Sequence, residues 1–328
     1  MGDHVRLEDS VVVITGASSG IGRATALRFA SKGAGLVLAA RGAEALEALA
    51  EQCRERGGKA IAVPTDVTDA AAVEALASRA VQEFGRLDVW VNNAAVSVYG
   101  PFIDIPLRDF QRVLDVNVSG YVHGARAALP HLRGQGSGVL INVSSIVGEI
   151  SQPYTAAYSM SKAAVRALGV SLRSELLLDG IRGIRVCTVL PAAMDTPFFQ
   201  HAANYTGRQV VAMPPVYAPQ RVARAIVKLS KRPRRETVVG PGGRFLALQH
   251  KVLPGTVEAA MAVQVDRTHL SRRHAAPDST GNLYEPSSEG RNASVEGGWH
   301  GRRRTVQRRA FTALLFAGGV VLLRKRAL

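Results

Sequence analysis

The chain has 328 residues, enough to bury a sizeable core, and a formal net charge of +15. That charge is uneven: residues 1–220 hold 20 Lys+Arg against 19 Asp+Glu, and residues 221–328 hold 21 against 7. The basic excess therefore lies in a Gly/Ser/Pro-rich tail, which argues against a folded nucleic-acid recognition element and makes an anionic membrane surface the better-motivated partner. Two cysteines, Cys53 and Cys187, lack metal-ligand spacing, so no metal site and no disulfide scaffold is expected, and the setting fits a reduced cytoplasm. Met1 to Ser10 has no apolar core of the signal-peptide kind.

In chain order, Val11 to Thr15 is an apolar β-branched run leading directly into a glycine turn, and Arg23 to Ser31 then reads as a helix. The turn is Thr15-Gly16-Ala17-Ser18-Ser19-Gly20-Ile21-Gly22. Strand, glycine turn and helix form the context in which backbone N–H groups approach a pyrophosphate at the positive end of a helix dipole. The glycine spacing differs from GxGxxG.

Gly35 to Ala40 is the next strand, and the helix Ala43 to Arg56 follows it. Where a dinucleotide fold meets the adenosine ribose, this chain has no acid at the strand end but Arg41, which favours NADP(H) over NAD(H). Ala60 to Pro64 is a third strand, followed by Asp66-Val67 and a helix from about Asp69 to Phe84; Asp66 either caps that helix or touches adenine. Leu87 to Val91 leads into Asn92-Asn93-Ala94-Ala95, small residues that leave room for a ligand. A helix predicted from about Leu107 to Leu132 contains Asn117, either a satisfied core amide or a site residue holding water.

Val139 to Val143 delivers Ser144 and Ser145 at its C-terminal end, where open α/β sheets place ligands. A long helical pattern from about Pro153 to Leu178 carries Tyr158 and Lys162, four apart and so on one face. A cation beside the phenol is expected to favour phenolate and bring proton exchange closer to neutrality. A sixth strand, Arg185 to Leu190, leads to Pro191 and Thr196. Phe198 to Tyr217 then reads as an apolar lid, with His201 on the lid or surface rather than a base. A helix over Pro219 to Lys231, a strand over Glu236 to Val239 and a helix or two within Phe245 to Val265 follow.

Composition makes residues 271–305 a flexible linker. Residues 306–328 place fourteen uncharged residues, Ala310 to Leu323, between basic flanks. As a helix that core would span about 21 Å, short of a bilayer's hydrocarbon, so an interfacial or marginal anchor is expected.

These motifs together resemble the short-chain dehydrogenase/reductase superfamily over roughly residues 8–265. Carrying the resemblance are the Gly16, Gly20 and Gly22 turn, Asp66, Asn92-Asn93-Ala94, Asn117, Ser144, the Tyr158 and Lys162 pair, and Pro191 with Thr196, in family order. It implies an α/β fold, a Rossmann-type doubly wound parallel sheet in a single domain over residues 1–270, with a flexible C-terminal extension. It implies an NADP(H)-dependent enzyme that interconverts a secondary alcohol and a ketone or aldehyde, with a lipophilic substrate suggested by the lid. Tyr158 would move the proton, Lys162 would lower its pKa and hold the nicotinamide ribose, Ser144 would bind the substrate oxygen, and Asn117 would support a water. The nucleotide would lie along Gly16, Ser18, Ser19, Gly20, Ile21, Gly22, Arg41, Asp66, Val67, Asn93, Tyr158, Lys162, Pro191 and Thr196. A homodimer or homotetramer is the implied assembly, and a noncatalytic NADP(H)-binding scaffold held at a membrane by the tail is the alternative. Two departures, Pro191-Ala192 for Pro-Gly and Ala94-Ala95 for Ala-Gly, each add a methyl expected to narrow the pocket or shift the backbone.

Overall fold

Runs such as Val-Val-Val-Ile-Thr and Gly-Leu-Val-Leu-Ala-Ala suit strands covered on both faces, and in the computed structural model, which describes residues 7–299, both are such strands. In chain order the first half runs β1 (Val11–Thr15), α1 (Gly20–Ala30), β2 (Gly35–Ala40), α2 (Ala43–Glu55), β3 (Lys59–Pro64), α3 (Ala70–Phe84), β4 (Val89–Asn92), the short β5 (Val98–Tyr99), α4 (Leu107–Leu114) and α5 (Gly120–Gln135). Then come β6 (Gly138–Val143), α6 (Ala156–Leu178), β7 (Ile184–Pro191), α7 (Phe198–His201), β8 (Ala203–Asn204), β9 (Arg208–Val210), α8 (Gln220–Lys231) and β10 (Glu236–Val239). The helices α9 (Pro241–Val252) and α10 (Pro254–Thr268) and the strand β11 (Leu270–Ala275) follow.

Seven strands form one parallel sheet in the order β10-β7-β6-β4-β1-β2-β3. From β1 the chain builds outward to β3, then returns to β4 on the other side, so the connections diverge between β1 and β4 and open a crevice at their C-terminal ends. Strand periodicity divides the core in two. Val12 and Ile14 face Phe29, Leu46 and Ile226 on one side; Val11 and Val13 face Leu76, Leu132 and Val186 on the other. The fold class read from the sequence, a single doubly wound α/β domain, is the one observed.

Two expectations take a different form. The helix predicted over residues 107–132 is interrupted by a π-helical turn, Asp115–Ser119, between α4 and α5. The buried Asn117 side chain accounts for the extra residue: its oxygen accepts from Val96 N–H at 2.9 Å, and its nitrogen donates to Val96 O at 2.9 Å and Ser161 Oγ at 3.0 Å. The second difference concerns the predicted linker. Over residues 271–299 the chain lies on the domain: β11 pairs with β9, Leu283 is fully buried, and Trp299 packs with Ala212 and Val216. Composition misses this because few apolar side chains in a polar stretch do the docking. Residues 300–305 and the anchor expected over 306–328 lie outside the described residues. Among the described residues no helix is long and apolar enough to cross a membrane.

Candidate active site

The glycine turn is held by contacts that leave no space for side chains. Gly16 takes φ +64°, and a Cβ on it would lie 2.6 Å from Ala94 Cα. A Cβ on Gly22 would lie 2.1 Å from Gly16 O and 2.7 Å from Asn93 Nδ2. Asn93 ties the turn to the end of β4, its Nδ2 donating to Thr15 O and Gly16 O at 3.0 Å each. Thr15 Oγ1 accepts from the N–H groups of Asn93 and Ala94. Asn93 is therefore a brace for the turn, and the N-terminus of α1 opens toward the crevice.

Beside this turn lies a cavity of about 270 Å³. Of the residues expected to hold nucleotide or substrate, all but Gly22 and Asn117 line it. Gly22 sits behind the turn and Asn117 behind the wall. Asp66 does not cap α3; that role falls to Asp69, which accepts from the N–H groups of Ala71 and Ala72. Asp66 instead accepts from Thr68 N–H, Thr68 Oγ1 and Arg112, the last at 2.8 Å. Burial alone would raise its carboxyl, but these donors bring it below the usual carboxylate range.

At the other end, α6 carries Tyr158 and Lys162 to the wall. Lys162 is 1% exposed; its Nζ donates to Val143 O at 3.0 Å and Tyr121 Oη at 3.2 Å, and lies 5.6 Å from the Tyr158 ring centroid. Tyr121 was not singled out from sequence, although it follows Asn117 by four residues on the same helical face. The electrostatics correct one expectation. Burial pushes the Tyr158 phenol up to about 12, only partly offset by a hydrogen bond with the Ser145 hydroxyl, and pushes Lys162 down to about 7. Desolvation of the charged form is the largest cause for both groups. The phenol thus holds its proton at neutral pH, ready to donate it, while the amine titrates in that range.

A pH dependence of stability follows. The folded-state pKa of Lys162, about 7, lies below its unfolded value of about 10.4, so between these limits the unfolded chain binds the extra proton and stability rises with pH. Below about 7 the cost of burying the ammonium is present in full. The Tm of Lys162→Met relative to the unaltered protein should therefore fall steadily from pH 7 toward 10; a constant difference would contradict this ionisation.

The two serines at the end of β6 separate. Ser144 is buried and its Oγ donates to Lys162 O at 2.7 Å, whereas Ser145 caps the 3-10 turn Ile146–Gly148 and presents its hydroxyl to Tyr158. Asn117, committed to Val96 and Ser161, makes no direct side-chain bond to Lys162. Ala95 and Ala192 both line the cavity, and the Ala192 methyl also lies against Gly240 and Gly243, two positions without a Cβ.

The outer wall is aromatic. Phe198 lies 5.4 Å from the Tyr158 ring, centroid to centroid, and Phe199 lies 5.5 Å from His269. Burial pushes His269 down to about 4, so it is neutral; its Nδ1 faces Val211 O and must carry the proton, leaving Nε2 to accept from Tyr99 Oη at 3.2 Å. His201, expected on the lid, lines the cavity with Nε2 3.0 Å from Glu289 Oε1. Among the described residues no group of His, Cys, Asp and Glu could hold a metal ion.

The roof is the part that sequence reasoning missed. Residues 282–299 cross the end of the cavity beside Arg41 and the glycine turn, where Asn282, Pro286 and Ser287 line it and Ser294 O accepts from Gly20 N–H at 2.9 Å. Arg41, expected to hold a phosphate, donates to the carbonyl oxygens of Asn282, Leu283, Tyr284 and Glu285 at 2.6 to 3.2 Å. The available signal was Leu283 and Trp299, isolated apolar residues in a polar tail.

Comparison with known proteins places these features in context. A family model described as short chain dehydrogenase matches residues 10–205. The uncharacterized oxidoreductase YxnA of Bacillus subtilis is 35% identical over 318 residues, covering 96% of this chain and 89% of that protein, so its similarity extends across residues 270–299. The 3beta-hydroxysteroid dehydrogenase 1 of Eggerthella lenta is 39% identical over 233 residues, 68% of this chain and 87% of that one. A crystal structure of a short chain dehydrogenase/reductase from Burkholderia phymatum in complex with NAD superposes with a TM-score of 0.71 at 28% identity, covering 77% of this chain and 96% of that one.

Proposed function

Since the chain belongs to the short chain dehydrogenase family, we propose that it is a nicotinamide-nucleotide oxidoreductase interconverting a secondary alcohol and a ketone or aldehyde. One observation carries the reading: a proton-bearing phenol, a buried amine and a glycine turn at a helix N-terminus all border one cavity at the sheet's switch point. The nucleotide supplies the hydride. Tyr158 passes its proton to the substrate oxygen in reduction and takes it back in oxidation. In its protonated form Lys162 supplies positive charge beside the phenolate left by proton donation, and Tyr121 and Val143 O fix the amine in place. The noncatalytic scaffold reading leaves an amine buried beside Tyr158 without use, at a desolvation cost.

The serine role goes to Ser145, because the Ser144 hydroxyl is spent on Lys162 O. Ser145→Ala is expected to lower kcat/KM about tenfold or more, in line with a donor lost from developing charge. Ser144→Ala should leave turnover within about threefold and cost about 1 kcal/mol of stability. Turnover and thermal unfolding of the two variants separate the assignments, and the reverse ranking would return the role to Ser144.

A lipophilic substrate is supported by Phe198, Phe199, Met213, Ile146 and Val147 around the reactive end, and by the steroid named for the Eggerthella lenta relative. NADP(H) is supported by Arg41 at the end of β2, where no acid is present; NAD(H) is favoured by the four carbonyls that already occupy Arg41. Exposed Leu107 on α4 and Met160 and Val170 on α6 offer apolar surface for a homodimer or homotetramer. The buried thiols of Cys53 and Cys187 suit a reduced cytoplasm, and surface attachment through the basic tail stays part of the proposal. The test is oxidation of NADPH and NADH against a panel of cyclic and long-chain ketones and aldehydes. Absence of carbonyl-dependent oxidation with either nucleotide would overturn the reading.

A further inference from the structure

Resting on the nucleotide reading above, we propose that residues 282–299 form a strap that competes with a nucleotide 2′-phosphate for Arg41, so that strap closure disfavours NADP(H) more than NAD(H); the Ser294 O bond to Gly20 N–H is a cost that both nucleotides share. The argument begins with valence. A guanidinium has four N–H bonds on its two terminal nitrogens, and a bidentate grip on a phosphate uses such bonds. In Arg41 all four are taken: Nη1 donates to Leu283 O at 3.1 Å and Tyr284 O at 2.7 Å, and Nη2 donates to Asn282 O at 2.6 Å and Glu285 O at 3.2 Å. A phosphate can grip the terminal nitrogens of Arg41 only by displacing the strap, the Nε–H being the one donor these four bonds leave. The carbonyl dipoles also turn their negative ends to the place a phosphate would take, whereas a ribose hydroxyl can donate to such oxygens.

The strap is a built element. Arg112 Nε donates to Leu283 O at 3.0 Å while its Nη2 holds Asp66, and its guanidinium carbon lies 5.8 Å from the Tyr284 ring centroid. Tyr284 Oη donates to the buried Asp109 at 2.7 Å, and the Leu283 side chain is fully buried. Farther on, Arg291 pairs with Glu51 of α2 at 2.8 Å. At the far end, the N–H groups of Gly297 and Trp299 donate to Asp195 Oδ1 at 3.1 and 2.8 Å. The middle is pinned to the glycine turn by Ser294 O. The carbonyl cage is thus held from both sides, and its release is the step that a 2′-phosphate must drive. The bonds from Arg41 to the strap carbonyls already have a charged donor, so what a phosphate adds is its own negative charge and a bidentate fit, set against the four bonds given up.

The experiment uses the full-length protein, with NADPH and NADH binding measured by calorimetry and amide hydrogen exchange followed over 282–299. Saturating NADPH should speed exchange in residues 282–287 about tenfold or more, and NADH should leave it unchanged or slow it. Tyr284→Ala, which removes the anchor on Asp109 and the ring beside Arg112, should tighten NADPH about tenfold, equivalent to about 1.4 kcal/mol, and move NADH less than about twofold. NADPH binding with no change in exchange would overturn the proposal. So would a variant that shifts both nucleotides equally, since the strap would then be a general lid. If Tyr284→Ala does not fold, the exchange measurement on the unaltered protein decides alone. Failure of both nucleotides to bind would overturn the oxidoreductase reading as well, whereas normal binding with an inert strap would overturn only this one.

Discussion

Tyr158→Phe is expected to lower kcat/KM for carbonyl reduction about 10²- to 10⁴-fold, the range in which positioned proton transfer contributes, equivalent to roughly 3 to 5 kcal/mol of barrier. The substitution removes one oxygen and retains the ring. The contacts of the Tyr158 ring with Phe198 at 5.4 Å and with Lys162 at 5.6 Å are available to phenylalanine, so the wall of the cavity and the nucleotide site should survive. Nucleotide affinity should therefore stay within about threefold of the unaltered protein, and the loss should appear in turnover. The hydroxyl is costly to lose because the other proton carriers there are engaged: Ser145 bonds the phenol itself, Ser144 donates to Lys162 O, and Lys162 donates to Val143 O and Tyr121 Oη. Single-turnover rates with saturating nucleotide are the measurement. A Tyr158→Phe variant within a few-fold of wild type would mean that the proton comes from elsewhere, and the mechanism would fall.

Much of this site is legible in the sequence because it sits on regular elements. The apolar runs of β1, β2 and β6 dictate buried parallel strands, their ends dictate where ligands gather, and helical spacing puts Tyr158 and Lys162 on one face. Three things resist that reading for physical reasons. The choice between Ser144 and Ser145 depends on which hydroxyl the strand end turns inward, and one residue of strand reverses the face. The π turn at Asn117 depends on a hydrogen bond to Val96, 21 positions away in the chain, which local propensity does not contain. The ionisation of Tyr158 depends on a balance between burial and charge, and sequence supplies the charge but not the burial. The strap is the largest omission. Its composition is that of a linker, and its docking rests on a few isolated side chains such as Leu283, Tyr284 and Trp299 together with backbone carbonyls, which no periodic pattern advertises.

Gly22→Ala is expected to weaken nucleotide binding about 100-fold or more, equivalent to roughly 2.7 kcal/mol, and to destabilise the fold by about 1 to 3 kcal/mol. A single methyl is enough because of what it meets. The new Cβ would stand 2.1 Å from Gly16 O, 2.9 Å from Gly16 C and 2.7 Å from Asn93 Nδ2. Two of those three atoms are backbone, so no rotamer change relieves the contact. The turn must move instead, and Gly16 in turn cannot retreat, since it already packs on Ala94 with φ +64°. Moving the turn breaks the pair of 3.0 Å bonds from Asn93 and tilts the first N–H groups of α1 away from the crevice, so stability and affinity fall together. Gly134→Ala supplies the contrast: it lies in the last turn of α5 with nothing within 4 Å of its Cβ position, and helix propensity alone should stabilise the protein by about 0.5 to 1 kcal/mol there. Calorimetric titration with NADH or NADPH, beside thermal unfolding of both variants, measures the two effects separately. If Gly22→Ala kept full affinity, the pyrophosphate would have to bind away from this turn, and the hydride would then be delivered to a different face of the cavity from the one Tyr158 serves.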